Sequence, residues 1–152
     1  NEDDLQAETL SYYVKNDNLI FEQISSNAQD LFQLMKMMND FKFSNNMKYC
    51  YFMISYTERY KVGKKTRANI NKIANNVKKI LNVIVKKHIK KYNIKKTNIQ
   101  VIKLVNYIFN TLTFIMVLRR NKVSESEINM YTESLYKLIK NISYNKKYFI
   151  FN

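Results

Sequence analysis

Few side chains in this sequence are of a type that makes and breaks bonds, and their surroundings argue against that use. The single histidine, His88, stands among Lys86, Lys87, Lys90 and Lys91. Cations on all sides lower an imidazole's pKa, and no neighbouring carboxylate is at hand to orient the ring, so His88 reads as a surface or core-edge residue. The single cysteine, Cys50, lies between Tyr49 and Tyr51 and reads as a small core residue rather than a nucleophile. Glu2, Asp3 and Asp4 cluster at the start of the chain. There they favour a helix start over general acid–base work. One cysteine and one histidine leave no metal-ligand set and no disulfide framework. The expectation is a chain that is not an enzyme, with no metal and no cofactor.

A second set of side chains suits binding rather than catalysis. Phe32, Met35, Met38, Met53, Tyr56, Tyr60 and Phe109 combine flexible thioethers with phenol rings. Such residues line pockets for varied apolar ligands, although the same residues build ordinary cores, and both readings stay open. The charge is strongly polarised. Residues 1–40 hold eight acids and two bases, whereas residues 61–122 hold seventeen bases and no acid, within an overall charge of +14. A basic block of this size attracts polyanions, unless it is a solvated helix face in a lysine- and asparagine-rich composition.

The scaffold for these groups is helical. The chain has 152 residues, 46% apolar and 25% charged, with no proline and one glycine. That nearly excludes turn-rich β folds and any Gly-rich phosphate loop, and predicts an all-α bundle of about five to six helices. Apolar spacing predicts one helix over Asp17–Asp40 and a second over Asn45–Lys61, ended by Gly63 as a C-terminal cap. A third is predicted over Thr66–Tyr92 and a fourth from Thr97 or Asn98 to Arg120. Ser124 and Glu127 form a capping-box pattern that opens a fifth, and the tail Ser143–Asn152 finds no place. The apolar run Val101–Leu118 is broken by Lys103, Asn106 and Asn110, so it reads as a helix buried on most sides rather than a membrane span. With no signal-peptide layout at the start, a cytoplasmic location is expected.

The opening residues, Asp4-Leu5-Gln6-Ala7-Glu8-Thr9-Leu10-Ser11-Tyr12-Tyr13-Val14-Lys15-Asn16-Asp17, carry the most specific pattern. They resemble the end of the helix-turn-helix in tetracycline-repressor-type (TetR family) regulators, with Thr9, Leu10, Tyr13 and Asn16 matching in type. The resemblance implies that residues 1–16 are the remnant of a DNA-binding domain whose first two helices would precede residue 1. Residues 17–152 would be the helical ligand-binding and dimerisation domain. It further implies a recognition helix at Ala7–Val14 that places Thr9, Tyr12, Tyr13 and Lys15 on operator DNA. The Met and aromatic set above would then hold a small hydrophobic or cationic effector. The last two helices would pair with their copies through Leu112, Ile115, Leu135 and Ile139 to form a homodimer.

Two functions are therefore expected, from different classes. The first is a dimeric, ligand-released transcriptional repressor. The alternative is a non-enzymatic basic helical module that docks on an acidic protein, a membrane surface or nucleic acid. The basic block distinguishes them: it lies in residues 61–96, outside the segment that the first reading assigns to DNA.

Overall fold

The computed structural model describes residues 1–42, 55–95 and 98–145 and is all-α. Helix α1 spans Glu2–Asn27, α2 Leu31–Lys42, α3 Lys64–Lys91, α4 Asn98–Arg120 and α5 Glu125–Tyr144, with a single 3-10 turn at Arg59–Lys61 before α3. The central element is α3, which packs against α1, α2 and α4, while α5 closes the bundle against α4 and α2.

The amphipathic pattern of α3 explains its place. Ile70, Ala74, Val77, Leu81, Ile84, Val85 and His88 are buried on one face, and every one of Lys72, Lys79, Lys86, Lys87 and Lys90 is exposed on the other. The buried face joins Leu10, Leu31, Leu34, Leu104, Ile108, Phe109, Leu135 and Ile139 in one core. Each fully buried Leu or Ile contributes about 1.5–3 kcal/mol relative to exposure, so this face fixes where α3 lies.

The N-terminal region departs from the expected division. Ala7–Val14 is not a separate helix, because α1 runs unbroken from Glu2 to Asn27. The break falls instead at Ala28, whose backbone is extended, and the chain restarts at Asp30. Asp30 is the cause. Its Oδ1 accepts from the Gln33 amide at 2.8 Å, and Gln33 Oε1 accepts in return from the Gln29 amide at 2.9 Å. This reciprocal Asp-x-x-Gln cap opens α2 and divides the expected helix Asp17–Asp40 in two.

Gly63 is likewise not the C-terminal cap expected of it. It precedes α3 as the N-cap residue with φ −65° and ψ 168°, and its carbonyl receives the first helical bond, from the Arg67 amide, at 3.0 Å. Most of the expected helix Asn45–Lys61 lies outside the described residues, as do Cys50 and Met53. The other boundaries fall close to expectation. Ser124 Oγ accepts from the Glu127 amide at 3.3 Å at the start of α5. Helices α3 and α4 end in left-handed residues, Asn93 at φ 52° and Lys122 at φ 57°. The next amides, Ile94 and Val123, reach back to Ile89 and Leu118 at 2.9 and 3.1 Å. These are Schellman closures made without glycine.

Helix α4 is the one described helix long and apolar enough to cross a membrane, with mean hydropathy 1.7 over an 18-residue window within Gln100–Arg120. Only 39% of that window is buried within the chain, so α4 is less covered than its sequence suggests.

Candidate functional site

The residues with the most developed chemistry meet where the N-terminus of α2, the C-terminus of α3 and the C-terminus of α5 converge. His88 is fully buried there, at 0% exposure, and not at the surface or core edge. Its Nδ1 accepts the Leu31 amide at 3.1 Å. That bond places the ring proton on Nε2, which donates to Ser143 Oγ at 2.6 Å, and Ser143 in turn donates to the Ile139 carbonyl at 2.6 Å. Burial draws the imidazole pKa down to about 4; Asp30 opposes this and Lys91 adds to it.

A histidine, a serine and an aspartate thus lie close together, but their bonds run against nucleophilic catalysis. A general base must offer its lone pair to the serine, and here Nε2 offers a proton. The carboxylate that would orient Nδ1 is replaced by a backbone amide. Asp30 instead turns to Lys91 Nζ at 2.6 Å and Tyr92 Oη at 3.3 Å. Burial, the largest single influence on Asp30, would raise its pKa; the bonds from Lys91 and the Gln33 amide outweigh it and hold the carboxyl below its ordinary value. The Tyr92 hydroxyl is pushed up to about 12 by desolvation, with bonds to Tyr144 and Asp30 adding to it. The assembly locks α2, α3 and α5 together.

The far end of α3 is held by another acid. Asp3 accepts from the Lys65 and Thr66 amides, each at 2.9 Å, and from Thr66 Oγ1 at 2.6 Å. Gly63 has no side chain with which to cap α3, and Asp3 of α1 does so from outside. A Cβ on Gly63 would overlap the Asp3 carboxylate. The hydrogen bonds from Thr66 and Lys65 hold the Asp3 pKa below its ordinary value. Asp4 pairs with Lys65, whose pKa that bond raises.

Asp3, Asp4 and Asp30 are therefore engaged at the two ends of α3, and its middle keeps its charge. Lys65, Lys72, Lys79, Lys86 and Lys90 succeed one another at steps of seven, seven, seven and four, within a narrow arc of the helix surface. Asn76, Val83 and Lys87 share this exposed face. Among the described residues, no ion pair links Lys72, Lys79, Lys86, Lys87 or Lys90 to a carboxylate. From Lys72 to Lys90 the row extends ~27 Å at 1.5 Å per residue.

The other expected site residues come from several helices. Phe32 packs on His88, Tyr92, Tyr136 and Tyr144, whereas Phe109 is buried against Tyr56, at 5.1 Å, and beneath Lys78. Met35 and Met38 pack on the core, and Tyr60 is 69% exposed. Of the expected effector set, Phe109 lies in the core and Phe32, Met35, Met38 and Tyr56 pack against it. On α1, Thr9 Oγ1 bonds back to the Leu5 carbonyl at 2.8 Å and Tyr12 is exposed; the side chains of Tyr13 and Lys15 lie outside the described residues. Three of the expected dimer residues, Ile115, Leu135 and Ile139, are buried within the chain itself, and Leu112 packs against the same core.

Sequence patterns alone did not single out Asp30 or Ser143. Asp30-Leu31-Phe32-Gln33 is a visible capping signature. Ser143 carried no signal, since its partner lies 55 residues away. Comparison with protein-family models, curated proteins and solved structures gives no match.

Proposed function

We propose that this chain is a non-enzymatic helical module that binds the phosphate backbone of nucleic acid, without sequence preference, through the exposed face of α3. The observation that carries this reading is the row Lys72, Lys79, Lys86, Lys87 and Lys90, which faces solvent with no carboxylate paired to it among the described residues. Like charges in a row on one helix face repel, and an external polyanion relieves that cost. The face offers ammonium groups and asparagine amides, with Val83 its single large apolar residue. That composition suits phosphate oxygens better than a bilayer interior.

The test is duplex binding measured by fluorescence anisotropy at several salt concentrations. Engagement of four or five phosphates gives a slope of log K against log salt of about −4. The variant Lys72→Gln/Lys79→Gln/Lys86→Gln is expected to flatten that slope by about 3. A slope unaltered by the triple variant overturns the reading, as does tighter binding to anionic vesicles than to duplex.

The repressor reading draws less support, since it needs a separate helix at Ala7–Val14 where α1 is continuous. Self-association keeps support of its own, on a different surface. Phe114 and Tyr131 meet at 5.2 Å on the outer side of α4 and α5, and Tyr107, Phe114, Met130 and Tyr131 are all exposed. Light scattering of the parent chain and of Phe114→Lys tests whether this face pairs two copies; a monomeric mass for both removes the idea.

A further inference from the structure

Beside the C-terminus of α3 lies a group of aromatic rings that the phosphate-binding reading leaves unexplained. Phe32 lies 5.4 Å from Tyr136, 5.7 Å from Tyr92 and 6.1 Å from Tyr144, the last pair stacked at 13°. Tyr92 and Tyr144 meet edge to face at 5.6 Å. The group is open to solvent on one side, with Tyr136 46% and Tyr144 64% exposed. Cations border it. Lys140 is exposed on α5, one turn from each of Tyr136 and Tyr144. Lys91 Nζ lies 5.7 Å from the centre of the Tyr92 ring, and Lys87 and Lys90 occupy the same closing turns of α3.

Here the buried positions belong to His88 and Ser143, while Tyr136 and Tyr144 remain exposed. We infer that this surface is a stacking platform for unpaired nucleobases and that the preferred ligand is single-stranded or partly unpaired nucleic acid. The inference rests on the phosphate-binding reading of α3 and adds to it. A strand tracking the lysine row brings its bases to the platform, where any base can stack because all present a π face. Lys140 then lies beside the flanking phosphates. The large exposed aliphatic residues Leu5, Val83, Ile102 and Met130 are not part of this cluster, so the platform is a poor bilayer anchor.

The experiment compares a thymidine oligomer of about 15 nucleotides with an abasic deoxyribose-phosphate strand of the same length, which keeps every charge and removes every base. The expected result is tighter binding of the thymidine strand by roughly 5- to 150-fold per stacked base. The variant Tyr136→Ala/Tyr144→Ala is expected to abolish that difference while leaving the salt slope unchanged. Tyr136→Leu/Tyr144→Leu keeps apolar bulk without the ring face and is expected to behave as the alanine pair does. Equal affinity for the two strands overturns the platform and leaves the α3 reading standing. Failure of both strands to bind overturns the α3 reading and the platform with it. Leucine variants that bind as the parent chain does would also overturn stacking as the cause.

Discussion

The two ends of α3 are held by the same kind of residue in opposite settings. At the N-terminus, Asp3 is partly exposed and caps bare amides, next to the one glycine in the chain. At the C-terminus, the Asp30 side chain is 4% exposed and binds Lys91, Tyr92 and the start of α2, with the neutral His88 beside it. An exposed carboxylate can exchange its partners for water at small cost. A buried one cannot, since each partner it loses leaves a polar group unsatisfied in a medium of low dielectric constant. The C-terminal end is thus where the fold is specified, and the N-terminal end is where it is trimmed.

The largest effect should come from emptying the buried end. His88→Ala removes a fully buried ring and leaves the Leu31 amide without its acceptor, so urea denaturation should register a loss of about 3–4 kcal/mol. Titration provides a second view of the same end. From pH 6.5 down to about 4 the unfolded chain takes up a proton on His88 that the folded chain refuses. Stability therefore falls as the pH is lowered through that window, by ~3 kcal/mol in total. Asp3, Asp4 and Asp30 are all depressed in the folded chain, so their contribution is present above the ordinary carboxylate range and is lost as the pH falls below it. His88→Gln should abolish the first window and keep the second. A wild-type curve that is flat between pH 6.5 and 4 would place the imidazole in water.

Asp30→Ala comes next, with an expected cost of about 2–3 kcal/mol in the same denaturation experiment, because a helix cap and a partly buried ion pair are lost together. The exposed end should respond more weakly and in a particular manner. Gly63 has an ordinary φ, so Gly63→Ala incurs no backbone strain, and its penalty comes from displacing Asp3. The urea midpoint should drop for Gly63→Ala and for Asp3→Ala, and Gly63→Ala should have no further effect in the Asp3→Ala background. Additive effects would mean that the glycine serves some other purpose. The smallest effect is a gain. Lys122 holds a left-handed conformation at the end of α4, and Lys122→Gly should stabilise by about 0.5–1 kcal/mol, as a modest rise in Tm.

The contrast between the two ends also explains what could be read from the sequence. Helices α3, α4 and α5 show themselves in local spacing, and their observed bounds lie within a few residues of expectation. Ser124 was legible because a capping pattern is local. The break at Ala28–Asp30 is also local, but apolar residues continue at helical spacing from Ile20 to Met38 and mask it. His88 was misplaced because the lysines around it describe the outer face of α3, whereas its own position repeats the inward spacing of Ile70, Val77, Leu81 and Ile84. The cover of Leu112, Ile115, Leu135 and Ile139 was not legible for a related reason: an apolar stripe is the same whether its cover is another helix of the chain or a second copy. The lysine row was visible as composition. Its freedom from pairing was not, since that depends on where Asp3, Asp4 and Asp30 come to rest.

The bonds that hold α3 are uniformly distant in sequence. Asp3 to Thr66 spans 63 residues, Asp30 to Lys91 61, Leu31 to His88 57 and His88 to Ser143 55. Each closes a long loop whose entropy is lost before the contact repays it. A bundle built this way should fold more slowly than helices joined only by neighbour-to-neighbour hairpins. During synthesis α3 can emerge and coil by itself, yet His88 has no partner for Nε2 until the last turn of α5 leaves the ribosome. Helices α1, α2 and α4 can cover the apolar side of α3 before then, and the final residues of α5 supply the last tie to its C-terminal end.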